Sequence, residues 1–355
     1  MRWLLQGLRR LCAATVRGPR EGTLVVQPLP GIGDMIWHLG HIHSIAMAEG
    51  APVSVITKPR SRARELFAAD SAVKEVLWLE RNPGRHDGIL GFFRLVCLLR
   101  RRRYAKAWLL HGSSRYAWAL LLAGIPLTIG YGRGLQRSLL SSPTALPPDA
   151  THGHPMRLAD DLLLAHGIPR SAAASRVVID GEALRRIDEE HRRREQPWIA
   201  FGIGSSEPYK QWGARRYSRL AELLLRNGAG TLFLVGGPAE ENMAREIVEA
   251  LPALADRIVT VTQRPLNESI ALLSRCRLCV SNDTGVFNAA AAAGIPVLVI
   301  IVSGWEPPWK DSVVCMRPPA GRDDIAAIDP EAVAGQAARL LQARERRDPG
   351  GQGAT

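Results

Sequence analysis

The sequence predicts two doubly wound α/β domains in series. Three observations carry that expectation. Short apolar runs of strand length alternate with longer stretches of helical spacing. The alternation fades near residue 170 and restarts near 197. Most strand-like runs end in a turn rich in Gly, Pro, Ser or Asn, as parallel βαβ units do. The length of 355 residues exceeds one ordinary domain, and 46% apolar residues suffice for two cores.

The elements follow in order. "GTLVVQPLPGIGD" (22–34) reads as a strand and a Gly/Pro turn, then a helix over 35–50 closed by Gly50. "PVSVITK" and "AVKEVLWL" are the second and third strands. "FFRLVCLLRRRRYA" is a helix, "KAWLLHG" a strand and "HPMRLADDLLLAHGI" (154–168) a further helix. Residues 176–196 are expected as a linker region, with the Arg run of "HRRREQP" on a solvated helix face. The alternation then resumes with "WIAFGIG", "ARRYSRLAELLLRNG", "TLFLVGG", "AEENMAREIVEALP", "IVTVT", "LNESIALLSRC" and "LCVSN". An alanine helix, the strand "PVLVIIV" and a last helix with Asp329 as cap and Pro330 in its first turn complete it. The expected domains are a basic leader at 1–22, an α/β domain at 23–175, the linker region, and a second α/β domain at 197–325. A C-terminal helix at 326–345 and a disordered tail at 346–355 follow.

The net charge of +12 calls for an anionic partner: nucleic acid, a membrane surface or a phosphorylated substrate. Aromatics are only 6%, and no ribonucleoprotein or zinc-finger pattern occurs, which argues against nucleic acid. Cys276 and Cys279 form a C-x-x-C without a second pair. They fall in the apolar stretch "LLSRCRLCV", so core packing is expected, in a reducing cytoplasm. No apolar run reaches the length of a membrane span. The leader "MRWLLQGLRRLCAATVRGPR" holds five Arg and no acid, with Trp3, Leu4, Leu8 and Leu11 near helical spacing. It reads either as an amphipathic helix on an anionic membrane or as a disordered basic segment.

Four turns carry candidate chemistry. "PGIGD" (30–34) lacks the third glycine of a dinucleotide fingerprint, and the second strand ends in Lys58 rather than an acid. What it does is deliver Asp34, as a helix cap or a general base. A carboxylate at a helix N-terminus is expected to have a lowered pKa. "FGIGSSEPYKQWG" (201–213) brings Gly204, Ser205, Ser206 and Lys210 into a loop before a helix, a candidate phosphate cradle. "VGGPAEEN" (235–242) places Glu240 just past a Gly-Gly turn, within reach of ribose hydroxyls. "SNDTG" (281–285) puts Asp283, Thr284 and Gly285 at the head of the alanine helix, where a helix N-terminus binds phosphate. No Asp-x-Asp and no metal-spaced His/Cys/carboxylate cluster occurs. Lys210 and the helix end are therefore expected to neutralise a diphosphate without metal or other cofactor.

These stretches resemble glycosyltransferase family 9, the bacterial lipopolysaccharide heptosyltransferases. The matching segments include "LVVQPLPGIGDMIWHLG", "HPMRLADDLLLAHGI", "KQWGARRYSRLAELL", "LFLVGGPAEEN" and "SNDTGVFNAAAAAGIPVLVI", in family order over roughly 23–310. The resemblance implies the GT-B architecture: two facing α/β domains with a cleft, donor in the C-terminal domain and acceptor in the N-terminal one. It implies inversion at the anomeric centre and a nucleotide-sugar donor, typically ADP-heptose. Asp34 is then the base, with Gly33 beside it on the acceptor side. Lys210 is the diphosphate ligand and Glu240 the ribose ligand. Asp283, Thr284 and Gly285 are the donor-binding turn, and Asn288 stands where the family usually has His. The implied acceptor is an anionic lipid-linked saccharide. Lys58, Arg60, Arg62, Arg133 and Arg137 are the candidate ligands for its acidic groups. The implied location is the cytoplasmic face of the inner membrane.

The sequence departs from the family at Asn288, at Trp37 (three residues after Asp34, where His is usual), at Ala105 and in the segment "VLVIIVSGWEPPWK". Two other readings therefore stay open. One is a transferase of the same fold with another sugar or surface glycan. The other is a silent basic module that holds a membrane or nucleic acid.

Overall fold

The computed structural model describes residues 2–147, 153–169, 175–205, 207–302, 304 and 312–347. Ser206, most of the divergent segment after Val302, and the end of the expected tail lie outside the described residues. The chain divides into two compact units, Met1–Arg176 and Val177–Thr355.

The first unit carries strands β1 (Thr23–Val26), β2 (Val53–Thr57), β3 (Val73–Trp78), β4 (Lys106–Leu109) and β5 (Leu127–Gly130). All pair in parallel, in the order β3-β2-β1-β4-β5. β1 and β2 are buried along their whole length, which is why both read as unbroken apolar runs rather than alternating ones. The helices of this unit are α1 (Arg2–Ala14), α2 (Ile32–Trp37), α3 (Leu39–Glu49), α4 (Ala63–Leu66), α5 (Gly88–Arg102), α6 (Ser114–Leu122), α7 (Gln136–Leu139) and α8 (Pro155–Ala165).

The single helix expected over 35–50 is two. It breaks at His38, whose backbone N–H donates to Met35, one residue short of the α-helical partner. The carbonyl of Asp34 is thereby left out of the helix ladder, and the His38 ring takes it instead, Nδ1 to O at 2.7 Å. Gly50 closes α3 in the left-handed conformation, at φ 63°. The leader is a docked helix rather than a disordered segment. Leu5, Leu8 and Cys12 pack on the first unit's core, and the Arg9 guanidinium donates to the Leu139 carbonyl at 2.7 Å.

The second unit carries β6 (Trp198–Gly202), β7 (Thr231–Val235), β8 (Ile258–Val261), β9 (Leu278–Asn282), β10 (Val297–Ile300) and β11 (Val313–Met316). They too are all parallel, in the order β11-β10-β9-β6-β7-β8. Its helices are α9 (Gly181–His191), α10 (Ala214–Arg226), α11 (Glu241–Glu249), α12 (Leu266–Arg275), α13 (Gly285–Ala293) and α14 (Pro330–Arg347). The expected linker is mostly α9. Asp180 caps it, accepting from the N–H groups of Glu182 and Ala183. Ala183, Ile187 and His191 are buried, while its charged residues form the solvated face. α14 runs two residues past the expected helix, into the segment first read as tail.

Cys276 and Cys279 are both buried, and burial pushes the Cys279 thiol up to about 12. That is the behaviour of core residues, not of a redox pair. The bulkiest anchor of this unit is Trp212. It is fully buried, its indole N–H donates to the Ile328 carbonyl at 3.0 Å, and its ring meets Tyr217 edge-on at 5.1 Å. It ties the loop after β6 to the segment leading into α14. Trp212→Ala is expected to cost about 3–5 kcal/mol, from the cavity and the orphaned carbonyl. Urea unfolding followed at the second unit's transition measures it.

Candidate active site

Each sheet reverses its strand order once, between β1 and β4 in the first unit and between β6 and β9 in the second. In open α/β sheets the loops leaving the carboxyl ends of strands diverge at such a point and leave a crevice for a ligand. Three of the four turns singled out by sequence leave β1, β6 and β9, and the fourth, which carries Glu240, leaves β7 beside β6. In each unit the place of the candidate residues therefore follows largely from topology.

In the first unit, Asp34 sits in the first turn of α2, just after β1, with Gly33 beside it. Its carboxylate accepts from the Gly31 N–H at 2.9 Å. The expectation of a lowered pKa does not hold. Burial raises it, and the Gly31 bond and the nearby His154 only partly offset that, so the carboxyl lies above its usual value. Beneath it the Asp34 backbone is fixed by His38 and by the Gln27 amide at 3.4 Å, itself held by the Thr57 hydroxyl at 3.2 Å. Burial, and then the neighbouring His41, push His38 down to about 3. It is neutral and structural, with Nδ1 as donor. Trp37 stacks obliquely on His154, their centroids 4.8 Å apart.

The five basic candidates do not behave alike. Lys58 follows β2 and Arg133 follows β5, and both crowd His111 at the end of β4. Burial lowers the His111 pKa, and Lys58, Arg133 and Arg81 lower it further. Arg60 is exposed. Arg62 is committed to Glu65 through two bonds, at 2.9 and 2.5 Å. Arg137 is spent on the Leu146 carbonyl at 3.1 Å. Lys58 and Arg133 thus stay in the candidate acceptor group, whereas Arg62 and Arg137 already serve the fold. His111 joins that group unforeseen, whereas Arg81, which also lowers the His111 pKa, is already committed to Asp87 and to the Tyr116 hydroxyl, both at 3.2 Å. Only the placing of His111 after a strand, in "WLLHG", could have pointed to it.

In the second unit, Lys210 leaves the loop after β6 and reaches the turn after β9. Its Nζ is 3.3 Å from Asp283 and 2.7 Å from Glu207. Burial lowers its pKa, but the two carboxylates outweigh that and raise it. Thr284, not Asp283, caps α13, accepting from the Val286 N–H at 3.3 Å, which leaves the Asp283 carboxylate for Lys210. Gly285 opens the helix. Glu240 accepts from the Gly237 N–H at 2.7 Å and lies against Gly204 and Gly236. A Cβ on Gly204 would stand 3.0 Å from the Glu240 carboxyl carbon, so glycine is what lets that side chain in. Ser205 folds back on Glu207, its hydroxyl donating to the carbonyl at 2.8 Å. Asn288 is buried, and its amide donates to the Thr284 carbonyl at 2.8 Å. It holds the cap from within.

Sequence reasoning missed Asn282. Its side-chain amide donates to the Ile203 and Gly204 carbonyls, both at 3.1 Å, and to the Gln211 side chain at 2.9 Å. It read as a strand end, and nothing in "LCVSN" marks it otherwise.

A family model described as glycosyltransferase family 9 (heptosyltransferase) matches residues 92–318. The chain belongs to glycosyltransferase family 9. The family match includes Lys210, Glu240 and Asp283–Gly285 and begins after Asp34. The chain is 28% identical over 222 residues to lipopolysaccharide heptosyltransferase 2 of Salmonella typhimurium, an alignment that spans 58% of this chain and 62% of that protein. It is 32% identical over 129 residues to lipooligosaccharide heptosyltransferase 2 of Haemophilus influenzae, 35% of this chain and 37% of that one. Its fold matches that of E. coli ADP-heptose lipopolysaccharide heptosyltransferase II. The TM-score is 0.72 at 22% identity, over 92% of this chain and all of the other. An E. coli heptosyltransferase with ADP-2-deoxy-2-fluoro heptose matches at 0.68 and 16% identity, over 90% and 99%. These likenesses fix the fold class as GT-B.

In this family 9 chain the raised pKa of Asp34 has a sign that can be measured. A carboxyl whose folded pKa exceeds its unfolded one weakens the fold once pH passes the unfolded value. Asp34→Asn keeps an oxygen for the Gly31 N–H and removes the buried charge. It is expected to melt higher than wild type at pH 7.5, with the difference shrinking as pH falls through the raised pKa toward the ordinary carboxylate value and gone below that value. Thermal melts of both proteins across that range test it.

Proposed function

We propose that this chain is an inverting glycosyltransferase that moves heptose from ADP-heptose to a lipid-linked lipopolysaccharide core acceptor without a metal ion. The observation that carries the reading is the second unit's cluster: Lys210 at 3.3 Å from Asp283, with Glu240 and the start of α13 on the same strand ends. It supports a site for a nucleoside diphosphate. Glu240 faces the ribose, while Lys210 and the N–H groups that open α13 take the phosphates. The ADP-heptose in the names and titles of the relatives supports adenine and heptose as the donor's ends. Lys58 and Arg133 near His111 support an acceptor with phosphate or carboxylate groups.

The step is a direct displacement. Asp34 takes the proton of the acceptor hydroxyl as its oxygen bonds the anomeric carbon. The bond from that carbon to the diphosphate oxygen breaks, and ADP leaves with the charge that Lys210 and α13 stabilise. A carboxyl raised by burial is a stronger base than an exposed one, which suits this role. Inversion follows from a single displacement. Among the described residues no helix is long and apolar enough to cross a membrane. We propose peripheral attachment to the cytoplasmic face of the inner membrane, where such an acceptor is made.

ADP release from ADP-heptose in the presence of a lipid-linked core acceptor tests the reading. Wild type is expected to turn over, and Asp34→Asn to lose about 10²–10⁴-fold in rate while still binding ADP. Turnover with a different sugar nucleotide only would remove the heptosyl assignment. Full activity in Asp34→Asn would remove Asp34 as base.

A further inference from the structure

We infer that the outward face of α5 is the surface that docks this protein on an anionic lipid membrane. This rests on the membrane partner proposed above and moves it from the leader to a particular helix. α5 is apolar on two faces. Gly91, Leu95, Val96 and Leu99 are buried in the first unit's core. On the opposite side Ile89 and Leu90 are 77% and 75% exposed, and Phe93 is 52% exposed, with exposed Cys97 continuing the stripe. Single exposed apolar side chains need no explanation, but three large ones on adjoining turns of one helix do. A helix apolar all round needs cover on both sides.

Charge decides the cover. Arg94 and Arg101 share the outward face, and neither has a carboxylate partner among the described residues. From Gly88 to Pro148 the sequence has nine basic residues and no acidic one. A second copy of this chain laid on that face would oppose arginine to arginine. An anionic bilayer would take the apolar side chains below its headgroups and the guanidinium groups among its phosphates. α1 supports the same surface. It packs on α6, as α5 does. It exposes Leu4 and Leu11, at 58% and 63%, with Arg10 between them. Arg100 ties the two helices, donating to the Thr15 hydroxyl just past α1.

The test is co-sedimentation of the full chain with phosphatidylcholine vesicles, with and without phosphatidylglycerol. Wild type is expected to bind the anionic vesicles. Leu90→Ser/Phe93→Ser is expected to bind them about tenfold more weakly or worse, with its melting temperature and ADP binding unchanged. Should that variant misfold, Arg94→Glu/Arg101→Glu replaces it, and loss of the preference for anionic lipid is then the expected result. Undiminished binding by the folded variants overturns the α5 face and leaves a membrane partner standing. Failure of wild type to bind either vesicle overturns both. Self-association of wild type that the α5 variant abolishes, without lipid binding, makes the face an interface between copies and also overturns the inference.

Discussion

The candidate site of the second unit, proposed above to hold the donor, depends on one side-chain amide. Asn282 ends β9 and shares its two hydrogens among three acceptors on the loop after β6. Those loops leave the sheet where its strand order reverses, so nothing in the β-ladder beyond Gly202 and Ser281 holds them together. The amide does. It sets the start of the loop that carries Lys210 against the turn that carries Asp283. Trp212 then fixes the far end of that loop in the core. Lys210 is thereby presented with its charge retained and two carboxylates beside it. Glu207 is the more exposed of the two, so it is the easier to exchange for a phosphate oxygen.

The first unit solves a different problem, which is how to keep a carboxylate basic at a helix N-terminus. The N–H of Gly31 and the nearby His154 favour the charged form, as helix starts generally do. Burial opposes them and wins. The Asp34 backbone is held from below by His38 and Gln27, the latter bonded by Thr57, and none of these bonds goes to the carboxylate. Trp37 adds an aromatic wall on the His154 side. The local break between α2 and α3 is part of the same arrangement, because it frees the carbonyl that His38 grips.

Much of this was legible in the sequence. Periodicity located most strands, since buried parallel strands are short unbroken apolar runs. The glycine- and asparagine-rich turns gave Asp34, Lys210, Glu240 and the "SNDTG" cap, because chemistry sits where strands end. Elements whose signal is weak were not separately expected. β5 is four residues between Pro and Gly, β11 lies beside a Pro-rich stretch, and α9 is so highly charged that it read as linker. Side-chain commitments were illegible. No pattern distinguishes Arg62, paired with a carboxylate three residues on, from Lys58, whose charge lowers the His111 pKa. Asn282 and His38 act through backbone carbonyls that only the fold brings near them. The raised pKa of Asp34 is illegible for the same reason, because burial is a tertiary quantity and the helix N-terminus a local one.

In the proposed donor site Lys210 recognises a diphosphate. Titration calorimetry with ADP and AMP, on wild type and on Lys210→Ala, tests it most directly. Wild type is expected to bind ADP about tenfold or more tighter than AMP, as a charge-assisted contact to the second phosphate requires. In Lys210→Ala the preference is expected to collapse while AMP binding is little changed. An equal preference for ADP in both proteins would contradict it.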